Sequence, residues 1–250
     1  MFYPADFVSA APLFSGAAAA PLRLRRTAFN MWFSARFLYV FSYYMFQFCG
    51  HTWILANMTA RFLMFGRDAL ADTFYSIGVV MSLCQLLTVL ELFHIADGLD
   101  RSWLLPRLVQ VVERNLLLLT VVLMEEVQSQ PVICVQFLLW NVLDLLRYPQ
   151  ELLCALGFPS LSMLWNRYTL SIPIYILAAA TEGIVVYQAV HHLEKASRGQ
   201  LQLPISSPNR VPIILKTYLL ILAVGAAVTV WQLLRERQHQ LEKWNKKLKK

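Results

Sequence analysis

Charge is what this sequence is shortest of. Only 15% of its 250 residues are Asp, Glu, Lys or Arg, while 58% are apolar; a soluble domain carries about 25% charged residues and under half apolar ones. With a mean hydropathy of +0.50, that deficit argues against a soluble globule and for a polytopic membrane protein. Catalytic signatures are missing too. There is no G-x-S-x-G, no glycine-rich phosphate loop and no H-E-x-x-H, which removes the serine-hydrolase, nucleotide-loop and zincin readings. The four cysteines, Cys49, Cys84, Cys134 and Cys154, form no C-x-x-C and lie in or beside apolar runs, as buried or lipid-facing thiols do. A thiol-phosphatase Cys-x5-Arg also fails, because Leu55, Leu90, Trp140 and Ser160 stand where the arginine belongs. No internal repeat is visible.

What is present is a series of long apolar runs. Six are spanning candidates, at about 38–58, 74–97, 103–124, 131–148, 168–191 and 212–234, the fourth only with its flanks. At about 1.5 Å per residue each crosses a hydrocarbon core roughly 30 Å thick. Backbone groups in lipid must be satisfied internally, so the spans are expected to be helices and the fold class all-α. The expected organisation is a flexible cytosolic segment 1–36, a membrane domain 37–234 and a basic tail 235–250. "AAPLFSGAAAAPLRLRR" resembles a signal peptide only superficially, because its basic cluster follows the apolar stretch. The net charge of +7 gathers at the C-terminus, which points to a membrane face and not to nucleic acid. An even number of spans puts both termini on one side. That side collects Arg23, Arg25, Arg26, Arg36, Arg101, Arg147, Arg167 and the basic residues from Arg235 onward. The other side holds Arg61, Arg67, Lys195, Arg198 and Arg210. The bias predicts cytosolic termini.

The apolar runs carry a few conspicuous polar residues. Tyr175 and Glu182 are seven apart, two turns of one helix face, about 10 Å along its axis. A carboxylate at mid-membrane costs on the order of 2.5–3.5 kcal/mol on insertion scales and marks a candidate functional site. It suits a proton donor or a strong hydrogen-bond partner; the structural alternative is that Glu182 pairs with an arginine and locks two helices. The third run contains Arg107, Glu113 and Arg114 and the fourth Asp144, all expected to face other helices or a cavity. Glu91 and His94 are i, i+3, a weak metal pair with no third ligand at spacing. Trp140, Asp144, Arg147 and Tyr148 share another helix face, and contacts between helices that act as glue are the commoner role for such groups. His191 and His192 sit at a helix end and read as interfacial.

Together these residues resemble a known family. "YYMFQFCGHTW", "LELFHIADGLDRSWLLPRLVQVVER", "WNVLDLLRYPQE" and "RYTLSIPIYILAAATE" are similar to the very-long-chain (3R)-3-hydroxyacyl-CoA dehydratases, also called the protein tyrosine phosphatase-like A family, from about Leu38 to Tyr218. Within it, "QFCGHTWILANMTARF" and "DTFYSIG" resemble the fourth vertebrate branch. The resemblance implies six helices in the endoplasmic reticulum membrane, cytosolic termini and a catalytic Tyr–Glu pair falling on Tyr175 and Glu182. It implies supporting arginines at Arg101 and Arg167. The family's Tyr-Pro-x-Gly departs here to Tyr175-Ile176-Leu177-Ala178, and its W-x-x-x-E-x-x-R-Y carries Asp144 in place of the acid.

The reaction so implied is the third step of fatty-acid elongation, loss of water from a (3R)-3-hydroxyacyl-CoA to give a trans-2-enoyl-CoA. Tyr175 would be the acid–base residue and Glu182 its orienting or proton-exchanging partner. No metal or redox cofactor is needed. The acyl tail would lie between helices and the CoA phosphates against Arg101, Arg147 and Arg167; elongase and reductase enzymes are the implied partners. The terminal "KKLKK" resembles a dilysine retrieval signal, but Leu248 stands where the lysine third from the end is needed. Asn57-Met58-Thr59 is a sequon expected on the lumenal side, too near the membrane for use. Two other readings compete: a non-catalytic scaffold of the same family, favoured by Ile176 and Ala178, and a transporter with Glu182 as proton relay. Against the transporter stand the lack of an inverted repeat and of paired broken helices.

Overall fold

The computed structural model describes residues 35–98, 104–156, 161–198 and 210–248. Among these residues every regular element is a helix: α1 (Ala35–Phe65), α2 (Asp68–Ala71), α3 (Thr73–Leu87), α4 (Val89–Ala96), α5 (Leu104–Leu123), α6 (Glu125–Gln128), α7 (Pro131–Ala155), α8 (Leu161–Arg198) and α9 (Arg210–Leu248). The all-α expectation holds. Four stretches are long and apolar enough to cross a membrane: Thr73–Ala96, which joins α3 to α4, Pro131–Ala155, Thr169–Lys195 and Leu215–Arg235. The other two expected spans coincide with α1 and α5, both helical but diluted by polar residues.

Helix ends follow local chemistry. α1 stops where Gly66 takes φ 57°, its N–H bonding the carbonyl of Phe62 at 2.9 Å, and α4 stops at Gly98 with φ 70°; glycine alone enters that region without a Cβ penalty. Thr88 interrupts α3 and α4 by turning its hydroxyl back onto the carbonyl of Gln85 at 2.6 Å. Pro131 opens α7, where its missing N–H costs nothing. That helix runs 25 residues, past Pro149, so the fourth span is longer than the sequence suggests. α9 continues through Leu248, so the start of the basic 235–250 segment extends the last helix. Asn57 of the sequon lies inside α1. Residues 1–34, with their basic cluster, lie outside the described residues.

α1 packs on α3 and α7, α7 on α8, and α8 on α9, while α5 touches α3, α4, α8 and α9. Gly50 lets α1 approach α3 closely; a Cβ there would sit 2.8 Å from Cys84 Sγ. The distribution of polarity is inverted relative to a water-soluble protein. Gln47, His51, Gln85, Glu91, Arg107, Glu113, Arg114, Asp144 and Glu182 are buried, while Val79, Leu123, Leu177 and Leu220 are exposed. A bundle surrounded by lipid is expected to look like this, since apolar side chains lose nothing by facing acyl chains and polar ones must find partners inside.

Candidate functional site

The buried polar residues form three groups that follow one another through the bundle. The first is built on Glu91 of α4. Its carboxylate accepts from Arg107 Nε at 2.8 Å, Tyr148 Oη at 3.0 Å and Tyr43 Oη at 3.1 Å, and pairs with Arg147 Nη2 at 2.8 Å. Four helices, α1, α4, α5 and α7, thus meet on one acid. Both oxygens of Glu91 are spent on these donors, and His94 turns instead to Tyr39, with Nε2 2.8 Å from its hydroxyl. A metal role for the pair has no support. Among the described residues no three His, Cys, Asp or Glu side chains come together as a metal site. Arg147 faces inward to Glu91, with Glu151 4.0 Å away, and acts as a tie between α4 and α7.

The second group is built on Asp144 of α7. Arg114 of α5 donates Nη1 to both carboxylate oxygens at 2.9 and 2.8 Å, and Gln85 of α3 donates at 3.2 Å. His51 Nε2 lies 3.6 Å from the same carboxylate, its Nδ1 2.8 Å from Asn141 Oδ1. The Arg114 guanidinium also stands 5.7 Å over the Trp140 ring. Trp140, Asp144, Arg147 and Tyr148 therefore share one inward face, as their spacing indicates, and each is engaged by a neighbouring helix.

The third group contains the two residues that the sequence singles out. Tyr175 and Glu182 lie on α8, 7% and 6% exposed. Pro173, two residues before Tyr175, lies inside the helix and leaves the carbonyl of Thr169 without its usual donor. Around the pair stand Thr229 of α9, within hydrogen-bonding reach of Tyr175, and Glu113 and Arg114 of α5, whose charges act on it. Tyr218 of α9 faces the same acids and Tyr175, and its hydroxyl donates to the backbone carbonyl of Glu113 at 3.0 Å. Glu182 Oε1 is buried and has no hydrogen-bond partner. Among the described side chains no cation pairs with Glu182, since Arg114 is held by Asp144. The helix-locking ion pair is therefore not what Glu182 does here.

Of the other candidates, Arg101 lies outside the described residues. Arg167 belongs to α8, eight residues before Tyr175 on the same helix; its side chain is outside the described set. Ala178, at the departure from the family motif, has its methyl in the main apolar core, whereas Ile176 is half exposed. Beside it an apolar cleft of about 410 Å³ opens between α8 and α9, lined by Ile176, Ala179, Ala226, Ala227, Val230 and Trp231 among others. Sequence reasoning missed Tyr218 and Thr229 altogether and treated Glu113 only as a polar residue of its run. Glu113 carried a signal, an acid within an apolar stretch. A tyrosine and a threonine on an apolar helix carry none.

This arrangement can be set beside known proteins. The family described as "Protein tyrosine phosphatase-like protein, PTPLA" matches residues 85–243. The chain belongs to the PTPLA family. The match spans Glu91, Asp144, Tyr175, Glu182 and Tyr218, while Tyr43 and His51 of α1 precede it. Among curated relatives, the chain is 41% identical over 222 residues to very-long-chain (3R)-3-hydroxyacyl-CoA dehydratase 4 of Mus musculus, covering 87% of this chain and 96% of that one. It is 41% identical over 215 residues to the protein of the same name from Homo sapiens, covering 84% and 93%. A very-long-chain (3R)-3-hydroxyacyl-CoA dehydratase of Xenopus laevis is 41% identical over 215 residues, covering 85% and 98%. No solved structure matches the chain.

Proposed function

We infer that Tyr175 and Glu182 are the reacting pair with which this chain, a very-long-chain (3R)-3-hydroxyacyl-CoA dehydratase of fatty-acid elongation, removes water from its substrate. The observation that carries the assignment is a buried tyrosine and a buried acid with an unpartnered oxygen, two turns apart on α8, in a chain whose relatives bear that enzyme's name. Elimination breaks the C2–H bond, passes its electron pair into the new C2=C3 bond and expels the C3 hydroxyl, which leaves as water once protonated. A group must accept the proton and another must deliver one to the oxygen. Tyr175 touches the substrate in this reading, and Glu182 orients it and exchanges its proton. Few waters reach such a site, so each of these interactions is stronger than it would be in solvent.

The acyl tail lies in the cleft between α8 and α9, whose apolar walls begin at the residue after Tyr175. The CoA phosphates meet Arg101 and Arg167 at the cytosolic face. All six long helical stretches span the membrane, with α1 and α5 joining the four apolar ones. In both, the polar side chains Gln47, His51, Arg107, Glu113 and Arg114 are buried and Leu38, Phe46, Trp53, Leu105, Leu119 and Leu123 are exposed, the pattern of a helix with one face to lipid. The segments 1–36 and 235–250 flank this domain on the cytosolic side of the endoplasmic reticulum membrane, beside the elongase and reductase of the cycle.

The test is dehydration of a long-chain (3R)-3-hydroxyacyl-CoA by purified protein. Tyr175→Phe and Glu182→Gln each lower kcat by about 10²–10⁴-fold, the range of a lost acid–base group, while both variants keep the wild-type elution profile and melting temperature. Full activity in either variant removes that residue from the pair.

A further inference from the structure

Glu113 belongs to the third polar group but comes from a different helix than Tyr175 and Glu182. It is carried by α5, one residue before Arg114, and is 5% exposed. Arg114 gives the Glu113 Oε1 nothing, its Nη1 donating to both oxygens of Asp144. Its Oε1 is buried without a hydrogen-bond partner. The carboxylate reaches across to α9, where it fills the space that a side chain on Gly225 would need; glycine there is what admits it. The hydrogen bond that ties α9 to this position does not use the carboxylate, because it runs from Tyr218 to the backbone carbonyl of Glu113. Glu113 is among the charges acting on Tyr175, on Glu182 and on Tyr218. A buried acid with an unsatisfied oxygen is costly to keep, and here its charge reaches both members of the reacting pair.

We propose that Glu113 is a third acid of the dehydration site, working from α5 beside the Tyr175–Glu182 pair of α8. The chemistry has room for it. A proton leaves C2 and a proton arrives at the C3 oxygen, two transfers at neighbouring carbons, and the proton balance closes when the acceptor and the donor exchange before the next turnover. With Tyr175 and Glu182 on one helix alone, both transfers must be served from one side of the substrate. Glu113 supplies the second side. This rests on the reading of Tyr175 and Glu182 as the reacting pair.

The experiment compares wild type with Glu113→Gln, Glu113→Asp, Glu113→Met and Gly225→Ala, reading kcat and KM for a long-chain (3R)-3-hydroxyacyl-CoA. Expected are a fall in kcat of about 10²–10⁴-fold in Glu113→Gln and Glu113→Met with KM changed less than about threefold, and partial recovery in Glu113→Asp, since a carboxyl is restored. Gly225→Ala leaves every acid in place but displaces the Glu113 side chain. It lowers kcat as well, and adding Glu113→Gln to it costs little more, because both changes remove one interaction. Wild-type kcat in a folded Glu113→Gln or Glu113→Met overturns the proposal. If those variants fail to fold, unaltered kcat in Gly225→Ala overturns it instead. A wild-type chain without turnover overturns the Tyr175–Glu182 reading and this one together, whereas turnover lost in Tyr175→Phe but kept in Glu113→Gln overturns this one alone.

Discussion

Glu91 concentrates more donors than any acid at the candidate site, with two guanidinium groups and two phenols around a single carboxylate. Its chemistry is saturated, and that separates it from Glu182 and Glu113, each of which keeps a buried oxygen without a hydrogen-bond partner. Removing one partner of a buried ion pair leaves the others uncompensated, at a cost of about 3–5 kcal/mol. Glu91→Ala strands Arg107 and Arg147 together and is expected to lose stability on that scale, read as a lowered melting temperature in detergent. Glu182→Gln is expected to change the melting temperature little, because no pairing in the fold depends on that carboxylate. A Glu91→Ala protein as stable as wild type would show that the four-helix tie at Glu91 is dispensable.

Helices α8 and α9 form the element that sets specificity in this account. Their seam has alanines where larger residues would close it, Ala179 on one helix and Ala226 and Ala227 on the other, with Trp231 at one end. Filling it with bulk shortens the room for an acyl tail without touching the reacting groups. Ala226→Phe is therefore expected to depress kcat/KM for very-long-chain substrates more than for medium-chain ones, by tenfold or so if the tail loses about 1.4 kcal/mol of apolar burial. Equal loss at every chain length would place the tail elsewhere. Pro173 also acts at this scale. The family's proline after the tyrosine is absent, and Pro173 precedes it by two residues in the same turn of α8.

For the molecule as a whole, the inverted distribution of polar residues decides the environment. Apolar side chains cover the outside of the bundle and ion pairs fill its middle, which is stable in lipid and not in water. Six spans require both ends on one side. Tags at the N-terminus and after Lys250 are both expected to be digested by protease added to intact microsomes, while a glycosylation sequon on a flexible insert between Gly66 and Asp68 is glycosylated. Opposite accessibility of the two ends would mean an odd number of spans.

The sequence alone determined the helices, their approximate limits and the membrane environment, because apolar run length and charge bias act locally or by simple addition. It also marked Tyr175 and Glu182, since an acid in an apolar helix is conspicuous and a two-turn spacing shares a face. The extension of α7 past Pro149 was not legible, because tertiary packing keeps the helix going where local preference would end it. Only the tertiary structure decided which acids are paired and which keep an unpartnered oxygen. Glu91, Asp144, Glu113 and Glu182 look alike in the sequence, each an acid in an apolar stretch. Their difference lies in what α1, α3, α5, α7 and α9 bring to each, arginines to the first two and none held by the last two. Those partners lie as far as 105 residues apart in the chain, as Tyr218 and Glu113 do, and no local pattern encodes that meeting.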